Sequence, residues 1–251
     1  MRALVLVLAL LAPLAEAEEI VARLSQTRIA ITTGFSGSEI FIYGAVRRQA
    51  PIPEEGTLDV IVALTGPSRP VVVRKKERRF GIWINDAGVK VDAAPSFYAV
   101  STTRPFAEAI SFTDDLAYGV GIDHAVRLIG ETDDAVYPED YRRAVIRLRR
   151  AAGLYVERPG GVELIDDTLF QTQIALPAQL VEGDYRARVL LLRDKQVIDV
   201  YESTIAVRKA GLERWIYRMA QEQSLLYGLL SIAVALAAGW LASAAFRFIL
   251  P

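Results

Sequence analysis

RIAIT (28–32), EIFIYGAV (39–46), LDVIVAL (58–64), PVVVRKK (70–76), FGIWIN (80–85), VKV (89–91) and FYAV (97–100) are short runs, β-branched or aromatic and partly alternating. Side chains alternate across a strand, so such runs read as strands with one buried face. Turn signals separate them: Thr33-Gly34, Ser36-Gly37-Ser38, Pro51 to Gly56, Gly66-Pro67 and Asn85-Asp86-Ala87-Gly88. Short strands at this spacing predict a β-sandwich module over 25–104.

The texture changes at Pro105, and 105–152 reads as mainly helical. PEDYRRAVIRLRRAAG (138–153) carries Pro138, Glu139 and Asp140 at the positive helix end, Arg147, Arg149 and Arg150 at the negative end, and Gly153 as the stop. Strand character returns in LYVE (154–157), VELI (162–165), LFQTQIAL (169–176), DYRARVLLLR (184–193) and VIDVYESTIAV (197–207), the last two as a hairpin. This predicts a second, smaller β module over 153–208. Leu176-Pro177 followed by Gly183-Asp184-Tyr185 resembles the approach to a late strand in immunoglobulin-like sandwiches, where a tyrosine packs at a corner. The predicted fold is mainly β: Ig-like sandwich built from one or two modules, a helical middle segment and one C-terminal transmembrane helix.

That helix is SLLYGLLSIAVALAAGWLASAAF (224–246), with no charged side chain in a protein that is 24% charged. About 20 apolar residues at roughly 1.5 Å rise cross a hydrocarbon core of about 30 Å. Residues 211–223 place Leu212, Trp215, Ile216 and Met219 at helical spacing, which predicts an amphipathic juxtamembrane helix. At the other end, Met1-Arg2, an apolar stretch to Leu14 and Ala15-Glu16-Ala17 form the pattern of a signal peptide over 1–17. Together they predict a single-pass protein of the inner (cytoplasmic) membrane, its body in the periplasm and a cytoplasmic tail at 247–251. Arg208, Lys209, Arg214 and Arg218 before the span oppose this by the positive-inside rule. Long translocated domains are largely insensitive to that bias, so the signal peptide decides the orientation.

Net charge is −1, which gives no global field for nucleic acid. The absence of cysteine and the single histidine exclude thiolate chemistry and multi-histidine metal sites. His124, beside Asp123 and downstream of Asp114 and Asp115, has no second histidine and no nucleophile motif around it, so it reads as a surface or capping residue. Asp133-Asp134 and Glu139-Asp140 lack calcium-loop spacing and read as loop and helix-start acids. No metal, cofactor or catalytic residue is expected.

Two contact candidates remain. Arg74, Lys75, Lys76, Arg78 and Arg79 suit an anion such as phospholipid headgroups, or a partner. The plainer reading is a solvated strand end whose charges block edge pairing. Trp83, just beyond, reads as a buried core tryptophan. Ser231, Ala235, Gly239 and Ser243 recur every four residues in the span, and small residues in such a stripe let another helix approach closely.

Phe41-Ile42-Tyr43-Gly44, Arg74-Lys75-Lys76-Glu77 leading to Gly81-Ile82-Trp83-Ile84-Asn85, Pro95-Ser96-Phe97-Tyr98, Arg104-Pro105 and the Leu176 to Tyr185 segment are together similar to the alphaproteobacterial putative transmembrane protein family. The resemblance covers nearly the whole chain and carries no catalytic residue. It implies a signal peptide, a β-rich exported region and one C-terminal span. The company of such chains with sulfite-exporter-type permeases implies a transport partner. The expectation is a non-enzymatic accessory or interaction protein whose partners are the lipid bilayer and another membrane protein or a second copy. The alternative is an envelope module for an anionic ligand.

Overall fold

A computed structural model describes residues 18–49, 51–52, 56–126, 138–210 and 219–249. The signal-peptide segment, Asp133-Asp134, residues 211–218 of the juxtamembrane segment and the last two residues of the tail lie outside the described residues. The chain divides into two compact units: the residues up to Ile29 with Ser36–Val207, and Ala30–Phe35 with the residues from Arg208 onward.

The fold is mainly β. Twelve strands are described: β1 (Glu19–Leu24), β2 (Arg28–Ile31), β3 (Ser38–Arg47), β4 (Leu58–Thr65), β5 (Ser68–Arg79), β6 (Ile82–Pro95), β7 (Tyr98–Thr102), β8 (Tyr155–Pro159), β9 (Val162–Ile165), β10 (Leu169–Leu176), β11 (Gly183–Arg193) and β12 (Gln196–Lys209). Helices α1 (Phe106–Ala109), α2 (Phe112–Tyr118), α3 (Ile122–Ala125) and α4 (Pro138–Ala151) fill the middle, and α5 (Ser224–Ile249) lies at the C-terminal end.

The strands form a four-stranded sheet in the order β1-β3-β10-β9, a six-stranded sheet in the order β2-β12-β11-β4-β7-β8, and the separate β5-β6 hairpin. Segments 25–104 and 153–208 are therefore not separate modules. Each sheet takes strands from both, with β3 paired to β10 and β4 to β11. The helical middle has a topological cause. β7 and β8 pair in parallel, and a parallel pair needs a long crossover rather than a tight turn.

β4 shows where the core lies. Its residues from Leu58 to Leu64 are all buried, although successive side chains point to opposite faces. Ile61 and Ala63 face a core shared with Leu190, Leu192, Val100 and Tyr98, with Ile122, Val145 and Ile146 on helices and Ile110 and Val120 between them, and with Val91 and Ala94 of β6. Val60, Val62 and Leu64 face the other way. On that side the four-stranded sheet presents Ile20, Ala22, Ile40, Ile42, Phe170 and Ile174, all buried, while Phe41 and Tyr43 between them are exposed. Contacts of β1 with β11, β4 with β9 and β7 with β10 join the two sheets.

β1 precedes the region from which the sequence predicts strands, and polar contacts hold it. The Glu18 carboxylate accepts from Arg48 Nε at 2.6 Å and from Arg193 through Nε and Nη2 at 2.8–3.1 Å. These side chains are almost fully covered, at 8, 9 and 18% exposure. Burial alone would raise the Glu18 pKa, but the hydrogen bonds and charges of Arg193 and Arg48 outweigh it and hold the carboxyl below its usual value of 4.5. A matching pair lies at the same end of the six-stranded sheet, where buried Asp59, paired across strands with Leu192, accepts from Arg104 through both carboxylate oxygens and from Thr103 Oγ1 at 2.6 Å. That bond raises the Arg104 pKa.

Two predictions follow from this packing. A carboxyl with a depressed folded pKa adds stability that is fully present above its unfolded value and lost as pH falls through the folded one. Glu18→Gln is therefore expected to lower the thermal midpoint at neutral pH by about 5 °C. The gap to wild type is expected to close as pH drops below about 4.5, and a pH series of thermal melts checks both effects. Gly44 lies at the middle of β3, where an added Cβ would sit 2.4 Å from Val21 O and 2.6 Å from Phe170 Cζ. Gly44→Ala is expected to cost about 2 kcal/mol in denaturant unfolding, because backbone of β1 and a core ring would both have to move.

Candidate functional site

The β5-β6 hairpin is an arm with a packed base and a free end. At the base, Val89, Val91 and Ala94 are buried, and Val71 and Val73 pack against the same core. Beyond the pair Arg74↔Gly88 the ribbon leaves the core, about seven residues from the tip, or roughly 20 Å at strand rise. The turn is Phe80-Gly81, with φ of 49° and 84°, the pair of positive values that a two-residue type I′ hairpin requires. Glycine adopts that geometry freely. Phenylalanine pays roughly 1 kcal/mol for it.

This corrects two expectations. Asn85 to Gly88 is not a turn: β6 continues through it, with a register shift between the pairs Arg74↔Gly88 and Lys76↔Asn85. Gly88 serves a close approach instead: a Cβ there would meet Val72 Cγ1 at 2.8 Å. Trp83 is not a core residue. It is 68% exposed, as are Ile82 at 65% and Phe80 in full. The sequence reading ran a strand through Phe80 and so missed the turn. The usable signal was two apolar-cationic runs meeting at an X-Gly pair.

The five cations named from the sequence all lie on the outer half of β5. Arg78 stands opposite Trp83 and Arg79 opposite Ile82. Directly opposed residues share a face, so cations occur on both faces of the ribbon. Glu77 takes one hydrogen bond from Arg79 at 3.2 Å. From Arg69 to Lys90 the sequence holds seven cations and two acids, Glu77 and Asp86, in a protein of net charge −1.

His124 lies elsewhere, on the wall of a cleft of about 830 Å³ that Tyr98, Tyr118, Arg142, Tyr185 and Arg188 also line. Its Nδ1 is 3.1 Å from Asp115 Oδ2 but is not aligned for a hydrogen bond. The cleft's bonds hold its own loops. Asp115 Oδ1 accepts from Gly121 N at 2.6 Å, Arg188 donates to Tyr118 O at 2.6 Å and Gly119 O at 3.1 Å, and Arg142 donates to Asp123 O at 2.6 Å. Tyr98 donates to Val120 O, and burial pushes its phenol up to about 12. Glu139 and Asp140 pair with Arg142 and Arg143. Among the described residues no group of three metal-ligating side chains occurs.

In the second unit, α5 contains a stretch, Ser224–Ala244, long and apolar enough to cross a membrane, with none of it buried. Ser231, Ala235, Gly239 and Ser243 are all exposed along it. Nothing lies within 4 Å of a Cβ built on Gly239. The Ser231 hydroxyl donates to Tyr227 O at 2.8 Å, so the helix satisfies that group itself.

No curated relative matches this sequence. Among solved structures the chain is similar to Spo0M, a sporulation control protein from Bacillus subtilis, at 11% identity and a TM-score of 0.29. The match covers 84% of this chain and 56% of that one, so the chain spans little more than half of Spo0M. The profile of the family described as "Putative transmembrane protein (Alph_Pro_TM)" matches residues 19–248, and the chain belongs to that family.

Proposed function

We propose that this protein is a membrane-anchored accessory protein of the cell envelope, with an Ig-like body in the periplasm, one span in the inner membrane and a place beside a transporter. It works by contact rather than by catalysis. The carrying observation is the β5-β6 arm, whose base is fixed in the core and whose cationic, aromatic end is left outside it. A fold that sets two backbone residues at positive φ to present an exposed phenylalanine is building a contact surface.

Support for the Ig-like reading comes from Tyr185. It is buried, its ring lies 6.4 Å from that of Phe97, and its hydroxyl donates to Val181 O at 3.0 Å, four residues upstream. A tyrosine corner has that arrangement. Support for a non-catalytic role comes from the His124 cleft, where Arg142 and Arg188 donate to backbone carbonyls of the cleft's own loops. The second reading, a module for an anionic ligand, is favoured by the same arm, since Arg74, Lys75, Lys76 and Arg78 are exposed.

The span supplies the contact with a protein partner, through the stripe of Ser231, Ala235, Gly239 and Ser243. Purification of the full chain in mild detergent, followed by mass spectrometry, tests the accessory reading. Wild type is expected to bring down a membrane protein, and Gly239→Leu to lose about tenfold of it, since a bulky side chain holds helices apart. Leu236→Ile, off the stripe, is expected to keep the wild-type yield. A wild-type preparation that contains only this chain refutes the accessory reading.

A further inference from the structure

We infer that the tip of the β5-β6 arm docks end-on to an anionic phospholipid surface, its cations on the headgroups and Phe80, Ile82 and Trp83 in the interfacial layer beneath. The inference rests on the arm being a contact surface and names what covers it.

The first argument is the order of chemistry along the arm. Phe80 sits at the apex, Ile82 and Trp83 stand level with Arg79 and Arg78, and Lys76, Lys75 and Arg74 follow within six residues behind Phe80. A bilayer approached from water has the complementary order by depth, with negative charge outside and an apolar layer within. Tryptophan and phenylalanine favour that boundary, and cations on long stems reach back from it to phosphates.

The second argument is the lack of a preferred face. A protein groove would read one face of a ribbon. Here Arg78 and Trp83 lie on one face, and Arg79 and Ile82 on the other. Charge surrounding an apolar point suits a plane met end-on.

The third is the turn itself. Asn-Gly or Asp-Gly would make the same reversal without strain, whereas Phe80 takes a φ of 49° and is left wholly exposed. The aromatic ring is being presented. The same chain carries its own apolar helix, so a bilayer is the surface at hand.

The chain has no cysteine, which allows a single nitroxide label at Ile82→Cys on the full-length protein in nanodiscs, with Ala178→Cys in an exposed loop as the reference. Discs of phosphatidylcholine are compared with discs that also hold about 30% phosphatidylglycerol, an anionic lipid. In the anionic discs the Ile82 label is expected to lose most of its accessibility to a water-soluble nickel complex and to gain accessibility to oxygen, while the Ala178 label changes little. Raised salt is expected to reverse the shift. Glutamine at Lys75, Lys76 and Arg78 is expected to return the label to water, each neutralised cation weakening docking about fivefold.

An Ile82 label as open to nickel as the Ala178 label in anionic discs overturns the inference. So does a label protected only in native membranes, because a protein then covers the tip. A co-purifying partner together with a water-exposed tip leaves the accessory role standing and removes lipid docking. A lipid-buried tip with no partner does the reverse.

Discussion

The burial of β4 on both faces is the constraint on which the body depends. Val60, Val62 and Leu64 need one apolar cover, and Ile61 and Ala63 need another. A two-layer fold supplies only one. The chain meets the demand by placing the four-stranded sheet on one side and the helices with the arm's base on the other. Part of the arrangement comes from distant sequence, since β10 returns to β3 and β11 to β4 only after the intervening helices. Such pairing is non-local, and its loop-closure entropy must be offset before the contacts form. The Glu18 and Asp59 clusters tie neighbouring segments of this arrangement with charged bonds, and no disulfide is available to do so.

Much of this was legible in the sequence, and the failures have physical causes. Strand content, the described helices between Phe106 and Ala125 and at Pro138–Ala151, and the apolar C-terminal helix follow from periodicity and length, which are local properties. The interleaving of the two β segments is not local, and no spacing encodes it. One signal did exist in LDVIVAL: a nearly unbroken apolar run marks a strand covered on both faces, whereas half-buried strands alternate. β1 was missed because EIVARL shows only two buried positions, and its place rests on pairing with β3 along its length and on the Glu18 ion pairs. The cations of the candidate site were legible as a charge run. The aromatic apex was not, because Trp83 and Phe80 look like core residues until the ribbon is seen to leave the core.

Gly88 and Gly81 show why glycine misleads in opposite directions. Gly81 stands at positive φ in the turn, next to a phenylalanine that a turn-seeking eye passes over. Gly88 follows Asn85-Asp86-Ala87, the stronger turn signal, yet lies within a strand paired to Arg74, where Val72 and Arg74 leave no room for a Cβ. The deciding quantity at Gly88 is the cross-strand distance, which composition does not contain. At the tip the deciding quantity is what the turn presents, and there the residue that strains the backbone is the one exposed.

The strained, exposed tip also fixes how strong the arm's contact needs to be. A few cations and three apolar side chains make a weak membrane ligand by themselves, comparable to a single lipid chain, which gives only marginal and reversible binding. On a soluble protein such an arm would be free most of the time. On a chain that carries its own span the contact becomes intramolecular, and effective concentrations in the millimolar range turn weak docking into substantial occupancy. Weakness then has a use. An arm held mostly by charge is released by salt or by loss of anionic lipid, while the span keeps the body in place. In the proposed arrangement the span would supply residence at the membrane, and the arm an orientation that responds to the charge of the lipid surface.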